Sequence, residues 1–341
     1  WRMAQPFTGT RWFVLAGAAA FALSLLGFGN VNALAQRIAF VIATGPSSGT
    51  YFPVGQTIAG LISHPPGVDR CARPSACGPE GLIASAQTSP GAFANVVAVE
   101  SGRVDSALAQ SDIGAQAVSG NGAFKRPQSH VRVIAGLFPE DVHLVVAMRS
   151  HINNITQLRR KRVSLGAVNS GTAVTARAVL SAFRVKANTS NESADLAAQK
   201  LQAGKLEAFF FVGGTPVPLV DGLVSSGAAK LLTIDGKGRD VLLAHEKGLS
   251  DATIAAGTYS NSPSVDTVSV QALWIVNDQV PNDVVYGVTR ALFSSANRPQ
   301  LDSGPPAARL ISIRHAGTGL PAPLHPGAAK FYREVRWLGV H

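Results

Sequence analysis

Charged residues, cysteines and long apolar runs are all scarce in this chain of 341 residues. Only 15% of the residues are charged while 46% are hydrophobic, a balance that excludes an intrinsically disordered protein. The two cysteines exclude a small disulfide-framework domain and most zinc sites built from cysteine. The length is nevertheless sufficient for two ordinary domains with well-buried cores.

Residues 1–35 contain no acidic residue, and they predict an export signal. Two arginines precede an apolar run from Trp12 to Phe28, which is shorter than the ~20 residues that a membrane span needs. Ala33-Leu34-Ala35 then supplies the small-residue pattern at which signal peptidases cut. The alternative is an uncleaved membrane anchor. No other stretch is long and apolar enough to cross a bilayer, so residues 36–341 are expected to be a soluble, periplasmic protein.

Acidic residues are the scarcer charge, with 20 Asp and Glu against 30 Lys and Arg, and the net charge is +10. This excess suggests an anionic partner: a nucleic acid, an acidic membrane surface or an acidic small molecule. The densest basic run, residues 158–162, lacks the interleaved aromatic side chains of a nucleic-acid surface. In an exported protein this run predicts a solvated turn, and we expect no nucleic-acid partner.

Cys71 and Cys77 lie in a turn-rich stretch with several Pro, Gly and Ser residues. An oxidising compartment favours a local disulfide bond between them. Closing so short a loop stabilises the fold by only about 2 kcal/mol in the loop-closure picture. A metal site is the alternative function for these cysteines, but the stretch contains neither a histidine nor a paired Cys-x-x-Cys motif.

Apolar and helix-like stretches alternate along the chain, and they predict an α/β fold with parallel sheets that are covered on both faces. The pattern restarts after Met148. The predicted strands are 37–44, 81–87, 106–110, 131–137, 142–148, 162–167, 207–212, 230–234 and 267–277. The predicted helices are 52–63, 93–101, 112–119, 172–183, 193–203, 217–225, 283–295 and 327–337.

Two α/β blocks of this kind predict two lobes with a ligand cleft between them. Strand 267–277 is long enough to run back from the second block into the first. Lobe I is then discontinuous, with residues 36–146 and 268–341, and lobe II has residues 147–267. Ligands of open parallel sheets bind beyond the carboxyl ends of the strands, so functional residues are expected in the strand-to-helix turns.

The first such turn, residues 44–51, has two interpretations. Residues 45–49 match G-x-S-x-G, the nucleophile elbow of α/β hydrolases, which makes Ser47 a candidate nucleophile. Such a hydrolase also needs a later acid and histidine, and none of the later histidines has a distinctive setting. The turn contains neither the dinucleotide motif nor the P-loop motif for phosphates.

Anion binding is the other interpretation of this turn. Ser, Gly and Thr at a helix start expose N–H groups and hydroxyls where the helix dipole is positive. Residues 169–172, Asn-Ser-Gly-Thr, repeat this chemistry in the second block. Each charge–dipole contact contributes ~0.3–2 kcal/mol, whereas a micromolar ligand needs roughly 8 kcal/mol. Two such starts predict a grip on one carboxylate, with hydroxyls, amides and apolar contacts supplying the rest. Polar residues at two more strand ends, 87–89 and 110–112, fit a cleft lining as well as ordinary caps.

Six short motifs in order make residues 36–341 resemble the TAXI group of solute receptors, the extracytoplasmic binding proteins of tripartite ATP-independent periplasmic (TRAP) transporters. The motifs are Thr-Gly-Pro-Ser-Ser-Gly-Thr-Tyr at 44–51, Gln-Ser-Asp at 110–112, Asn-Ser-Gly-Thr at 169–172, Gly-Gly-Thr-Pro at 213–216, Gly-Thr-Tyr at 257–259 and Leu-His-Pro-Gly-Ala at 324–328.

The resemblance implies a two-lobed periplasmic binding protein, not an enzyme, that closes on a small organic anion and uses no cofactor. The implied ligand is a glutamate-like amino acid, a dicarboxylate or a 2-oxo acid. The implied partners are the membrane subunits of a TRAP transporter driven by an ion gradient, and a sensor kinase is the alternative. The turns and the resemblance together predict these ligand contacts: Gly49, Thr50, Tyr51, Thr88, Ser89, Gln110, Asp112, Ser170, Gly171, Thr172, Gly214, Pro216 and Tyr259.

Two turns depart from the family pattern. The usual Ser/Thr-Gly-Gly-Ser turn is here Ser89-Pro90-Gly91-Ala92, so its second hydroxyl is lost at Ala92. The usual Leu-x-Gly-Lys-Arg turn has Arg160 in place of its glycine. Ala92 is therefore not counted among the predicted ligand contacts, and we expect the loss of its hydroxyl to shift the ligand specificity.

Overall fold

The structure, a computed structural model, describes residues 1, 37–68, 71, 73–317 and 320–335. Apart from Trp1, the predicted export signal and the cut after Ala35 lie outside the described residues, and they stay predictions. Within the described part of the chain, no helix combines the length and the apolar character that crossing a bilayer requires.

Ten strands and eleven α-helices make up the regular structure of the described residues. The strands are β1 (Ile38–Ala43), β2 (Leu82–Gln87), β3 (Ser106–Gln110), β4 (Val131–Ala147), β5 (Arg162–Ser164), β6 (Asn188–Ser190), β7 (Ala208–Gly213), β8 (Ala229–Leu232), β9 (Leu249–Ile254) and β10 (Val265–Asn277). The helices are α1 (Tyr51–Ile62), α2 (Ala92–Glu100), α3 (Ser111–Ser119), α4 (Gly171–Ala182), α5 (Ala194–Gln202), α6 (Pro218–Ser225), α7 (Gly236–His245), α8 (Asn282–Leu292), α9 (Arg298–Ser303), α10 (Pro306–Arg309) and α11 (Pro326–Glu334).

The strands form one mixed sheet in the order β2-β1-β3-β10-β4-β7-β5-β6, with β8 added to β4 and β9 added to β10. Pairing is parallel among β1, β2 and β3 at one end, and among β5, β6 and β7 at the other. The central strands β10 and β4 run antiparallel to each other and to the strands beside them. The predicted α/β fold is therefore confirmed, and its two parallel blocks are joined by an antiparallel pair.

Strand β4 is continuous over 17 residues, whereas the sequence predicted two strands, 131–137 and 142–148. Proline lacks the N–H group that a sheet ladder needs, so Pro139 indicates a break. Here Pro139 pairs with Gln271, directly beside a register shift between Gln271 and Leu273. An irregular register tolerates a residue without an N–H group, and the strand continues through it.

The hydrophobic core changes within both long strands. In β4 the change falls between Phe138 and Val142, and in β10 between Val270 and Ala272. We call residues 38–138 and 272–335 lobe I, and residues 142–270 lobe II. The predicted boundaries at 146/147 and 267/268 fall in the same two strands, and the division into lobes stays a proposal.

The parallel strands determine where the helices begin. In lobe I, β1, β2 and β3 lead into α1, α2 and α3, and in lobe II, β5, β6 and β7 lead into α4, α5 and α6. Helix α1 forms because Val54, Ile58 and Leu61 recur at helical spacing and are buried against the sheet. Parallel strands end at one edge of a sheet, so the starts of these helices gather at that edge.

Three elements of lobe II were not predicted: β6, α7 and β9. Helix α7 begins Gly236-Lys237-Gly238, and glycine disfavours helix by about 1 kcal/mol per residue. Strand β9 keeps no strict alternation of apolar and polar residues, but it pairs with β10 over its whole length. Tertiary contacts thus stabilise segments whose local sequence carries little signal.

The predicted disulfide between Cys71 and Cys77 is present, with the two Cα atoms 5.9 Å apart. It closes the loop that precedes β2. The Asn297 side-chain amide donates to the Ala76 carbonyl at 2.6 Å and ties this loop to the end of α8. The bond therefore anchors a surface loop of lobe I.

Candidate functional site

A cleft lies between the two lobes, at the edge where the parallel strands end. Its space measures about 690 Å³, open solvent included. Because this figure includes the open mouth of the cleft, the enclosed space in this closed form is smaller.

The predicted ligand residues divide into those that line the cleft and those that do not. The first group is Gly49, Thr50, Tyr51, Gln110, Ser170, Gly171 and Thr172. Thr88 and Ser89 line a neighbouring depression, and Gly214 and Pro216 line a groove outside the cleft. Asp112 and Tyr259 are fully buried and do not line it. Ligand contact by any of these residues stays a prediction.

Four helices begin at the wall of the cleft: α1 and α2 from lobe I, and α4 and α5 from lobe II. Their first residues, Tyr51, Ala92, Gly171 and Ala194, all line it. N–H groups in the first turn of a helix have no partner within the helix, and the helix dipole is positive there. Among the described lining residues there is no Lys, Arg or His. Within this described lining, the positive groups are therefore the helix starts.

The start of α4 is capped within lobe II. The Ser170 hydroxyl accepts from the Ala173 N–H at 3.1 Å and donates to the Ala167 carbonyl at 2.7 Å. The Thr172 hydroxyl oxygen accepts from the Val212 N–H at 3.3 Å, which leaves its hydrogen for an acceptor in the cleft. This start is rigid before any ligand arrives.

The start of α1 is bound to the opposite lobe. Thr50 makes no side-chain cap, and its hydroxyl oxygen accepts from the Gly214 N–H of lobe II at 3.1 Å. The Ser48 hydroxyl donates to the Asp195 carboxylate at 2.5 Å, also across the lobes. The Thr50 hydroxyl, which was predicted to hold a ligand, therefore binds lobe II in this structure.

Further hydrogen bonds join the lobes at the other side of the cleft. The Ser111 hydroxyl donates to the Gly248 carbonyl at 2.7 Å, and the Thr175 hydroxyl donates to the Asp112 carboxylate at 2.6 Å. A Cβ on Gly171 would collide with the side-chain oxygen of Gln110. The lobes are thus closed on each other, and glycine at position 171 permits this approach.

The floor of the cleft carries Glu140, which was not among the predicted residues. The Tyr51 hydroxyl donates to its carboxyl oxygen Oε2 at 2.7 Å, and both side chains are buried. Burial raises the pKa of Glu140 well above its ordinary range, and the Asp112 and Asp141 carboxylates raise it further, against the Tyr51 hydrogen bond. The sequence prediction placed Glu140 in the gap between two strands, so no local signal pointed to it.

Two other buried carboxyl groups near the cleft have pKa values shifted in opposite directions. Burial raises the pKa of Asp112 to about 6, although hydrogen bonds from Thr175 and from the Ile113 N–H lower it. Glu192 lines the lobe II wall, 2.7 Å from the Lys200 ammonium group. Burial opposes ionisation of Glu192, but its hydrogen bonds, that of Lys200 foremost, hold its pKa below the ordinary value. Glu192 is therefore ionised and paired.

Ser47 lacks the geometry of a hydrolase nucleophile. Strand β1 ends at Ala43 and α1 begins at Tyr51, so Ser47 lies within a loop instead of at a sharp strand-to-helix turn. Among the histidine hydrogen bonds in the described part of the chain, none involves Ser47, and a nucleophile needs an adjacent base. The local geometry does not support the hydrolase interpretation.

Tyr259 is part of a buried network in lobe II. Its hydroxyl makes a hydrogen bond of 2.7 Å to Nε2 of His143 and accepts from the Val217 N–H at 3.0 Å. Burial lowers the pKa of His143, so this histidine is neutral and its Nε2 accepts from the tyrosine. The network holds the start of α6 against β4, and its His143 ring packs edge-on against Phe211 of the cleft lining.

The sequence pattern of the NMT1-like family matches residues 42–335. Among solved structures, MatC from Rhodopseudomonas palustris with bound malate is similar, with 11% identity, a TM-score of 0.52 and coverage of 87% of this chain and 96% of that chain. A structure described as a periplasmic transporter is also similar, with 11% identity, a TM-score of 0.50 and coverage of 89% and 94%. At these identities the likeness shows the fold, an α/β sheet with flanking helices as in periplasmic binding proteins.

Proposed function

The chain belongs to the NMT1-like family, and we propose that it is an extracytoplasmic receptor that captures a small organic anion between its lobes. The observation that carries this proposal is the convergence of four helix starts on a cleft whose described lining has no basic side chain. Helix starts bind carboxylates through N–H groups and dipoles. A ligand whose carboxylate lies at the starts of α1 and α4 therefore fits the chemistry of the cleft.

Within that proposal, the direct ligand contacts are the predicted residues that line the cleft: Gly49, Thr50, Tyr51, Gln110, Ser170, Gly171 and Thr172. Asp112, Gly214 and Pro216 act in the contact between the lobes or beside it. Ala92 lines the cleft without a hydroxyl group, so the position where the family has serine offers only a methyl group.

We further propose a TAXI-type receptor that delivers its solute to the membrane subunits of a TRAP transporter. The six ordered motifs support this assignment. Binding proteins of this shape close by hinge motion, so the energy of ligand binding produces a shape that a partner recognises. Residues 1–35 direct the chain to the periplasm in this proposal, with a cut after Ala35.

Mass spectrometry of the small molecule released from natively purified protein tests the receptor function most directly. Calorimetry against amino acids, dicarboxylates, 2-oxo acids, sugars and cations then ranks the solutes. We expect a carboxylic acid in both measurements, and a preference for a neutral sugar would contradict the proposal.

The export and partner proposals have their own tests. N-terminal sequencing of the exported protein is expected to begin at Gln36, and a start well away from it would refute the cleavage site. Affinity capture from solubilised membranes is expected to retain TRAP membrane subunits, whereas capture of a sensor kinase would replace transport with sensing.

A further inference from the structure

The floor of the cleft has a different chemistry from its rim. Glu140 is 1% exposed, and the charged groups that act on it are the carboxylates of Asp112 on α3 and Asp141 on its own strand. The Tyr51 hydroxyl on α1 is its hydrogen-bond donor. Among the described residues, no cationic side chain contributes to the setting of Glu140. The floor is therefore acidic, while the rim consists of positive helix starts.

A second acceptor at the cleft lacks a donor. Gln110 is 3% exposed and lines the cleft, and within the described part of the chain its Oε1 atom has no hydrogen-bond partner. This oxygen lies against Gly171, at the position that a Cβ there would occupy, so it is packed in the contact between the lobes. The carboxyl group of Glu140 is therefore the acceptor that the floor offers to a solute.

On the basis of the receptor function proposed above, we propose that Glu140 determines the specificity of the cleft. It selects solutes that carry a protonated amine near their own carboxylate. The carboxylate lies at the starts of α1 and α4, and the amine lies at the floor, where it donates to Glu140. Tyr51 is the positioning residue, because its hydroxyl holds one carboxyl oxygen and leaves the other to the solute.

The charge balance of the floor supports an amine. A buried carboxyl group without a cation stays protonated, and this proton is lost when an ammonium group arrives as its partner. Binding of an amine therefore releases one proton to solvent. A solute with a second carboxylate at this position would need Glu140 to keep its proton, so no release accompanies its binding.

Calorimetry on the full mature protein with matched acids tests the inference. The probes share three carbon frames: glutamate, 2-oxoglutarate and glutarate; aspartate, oxaloacetate and succinate; alanine, pyruvate and propionate. We expect the amino acid of the best-fitting frame to bind at least tenfold more tightly than its amine-free counterparts. Titrations in two buffers of different ionisation enthalpy are expected to show proton release.

Glu140→Gln is the decisive variant, because glutamine keeps the acceptor for Tyr51 and the shape of the side chain. It is expected to weaken the amino acid at least tenfold and the oxo acid less than threefold, and to abolish proton release. Tyr51→Phe is expected to give a smaller loss that is again confined to the amino acid. A purely structural role of Glu140 would weaken all three acids equally.

Three outcomes overturn the inference: an amine-free acid that binds as tightly as the amino acid, equal losses in Glu140→Gln, or no binding by any member of the three frames. Failure of the receptor function looks different, because native protein would then release no small acid at all. Release of an acid without an amine would sink this inference and leave the receptor proposal intact.

Discussion

The starts of α1 and α4 have similar sequences and use them differently. In α4 the Ser170 hydroxyl caps its own helix, so this start is complete within lobe II. In α1 the Thr50 hydroxyl leaves its helix uncapped and accepts from the Gly214 N–H of the opposite lobe. One start is a preformed donor surface, and the other exists in this form only when the lobes are closed. Equal motifs therefore do not imply equal roles.

Gly171→Ala is expected to cause the largest loss of ligand affinity. A Cβ there meets the Gln110 side-chain oxygen and lies 2.9 Å from the Ala92 Cβ, so the lobes no longer close. Ligand affinity should fall more than a hundredfold in calorimetry, about 3 kcal/mol. Gly222→Ala on α6 is the matched control, since nothing lies within 4 Å of a Cβ there. A Gly171→Ala protein that binds like the parent would show that closure does not pass through this contact.

Thr172→Ala removes the hydroxyl that α4 offers to the cleft. Losing one hydrogen bond to a charged ligand costs ~1.5–3 kcal/mol, and we expect a ten- to hundredfold loss of affinity. Thr172→Ser keeps the hydroxyl and is the control, with a loss of less than about threefold. Parent-like affinity of the alanine variant in calorimetry would remove α4 from the grip on the carboxylate.

Asp112→Asn tests how lobe I holds α4 through Thr175. The pKa of Asp112 is raised to about 6 in the closed protein, so the protonated form is the one that closure favours. The stabilisation that comes from this protonated carboxyl group is complete below the ordinary pKa of aspartate and is lost as the pH rises through 6. When the pH is lowered from 7 to 5, the unfolding free energy of the parent should therefore rise by about 1 kcal/mol relative to that of the variant. Urea unfolding at both pH values measures this, and identical pH profiles would contradict the assignment.

Thr50→Val is expected to cause the smallest loss of ligand affinity. It keeps the shape of the side chain but leaves the Gly214 N–H without its acceptor, a change of about 0.5–1.5 kcal/mol, or roughly three- to tenfold in affinity. Thr50→Ser should restore binding. If Thr50→Val weakened ligand binding as much as Thr172→Ala does, the Thr50 hydroxyl itself would bind the ligand, and the two starts would be alike.

The local parts of the site were predictable from sequence. Turns rich in Gly, Ser and Thr between strand-like and helix-like stretches predicted helices that begin at residues 52 and 172, each one residue after the observed start, because capping is decided within a few residues. Parallel strands then bring such starts to one edge without further information. The fold class and the Cys71–Cys77 bond followed in the same way from local pattern and compartment.

The parts that were missed depend on distant segments. A motif shows that Tyr259 is special but not that its hydroxyl turns toward His143, on a strand more than a hundred residues earlier. The partner of Asp112 is Thr175 in the other lobe, which no local pattern reveals. Glu140 reaches the floor of the cleft because β4 continues past Pro139, and that continuation depends on its register with β10.

The return of β10 to the first lobe has a consequence for the order in which the chain folds. The Trp274 indole donates to the Ser106 hydroxyl at 3.1 Å across a sequence separation of 168, and the Tyr332 hydroxyl donates to the Ile134 carbonyl at 2.9 Å across 198. Contacts of such high separation form late, because the long loops that they close lose entropy first. Residues 142–270 are contiguous and pack around their own cores. During synthesis from the amino terminus, lobe II therefore completes before lobe I, because strand β3 pairs with a part of β10 that begins about seventy residues before the end of the sequence.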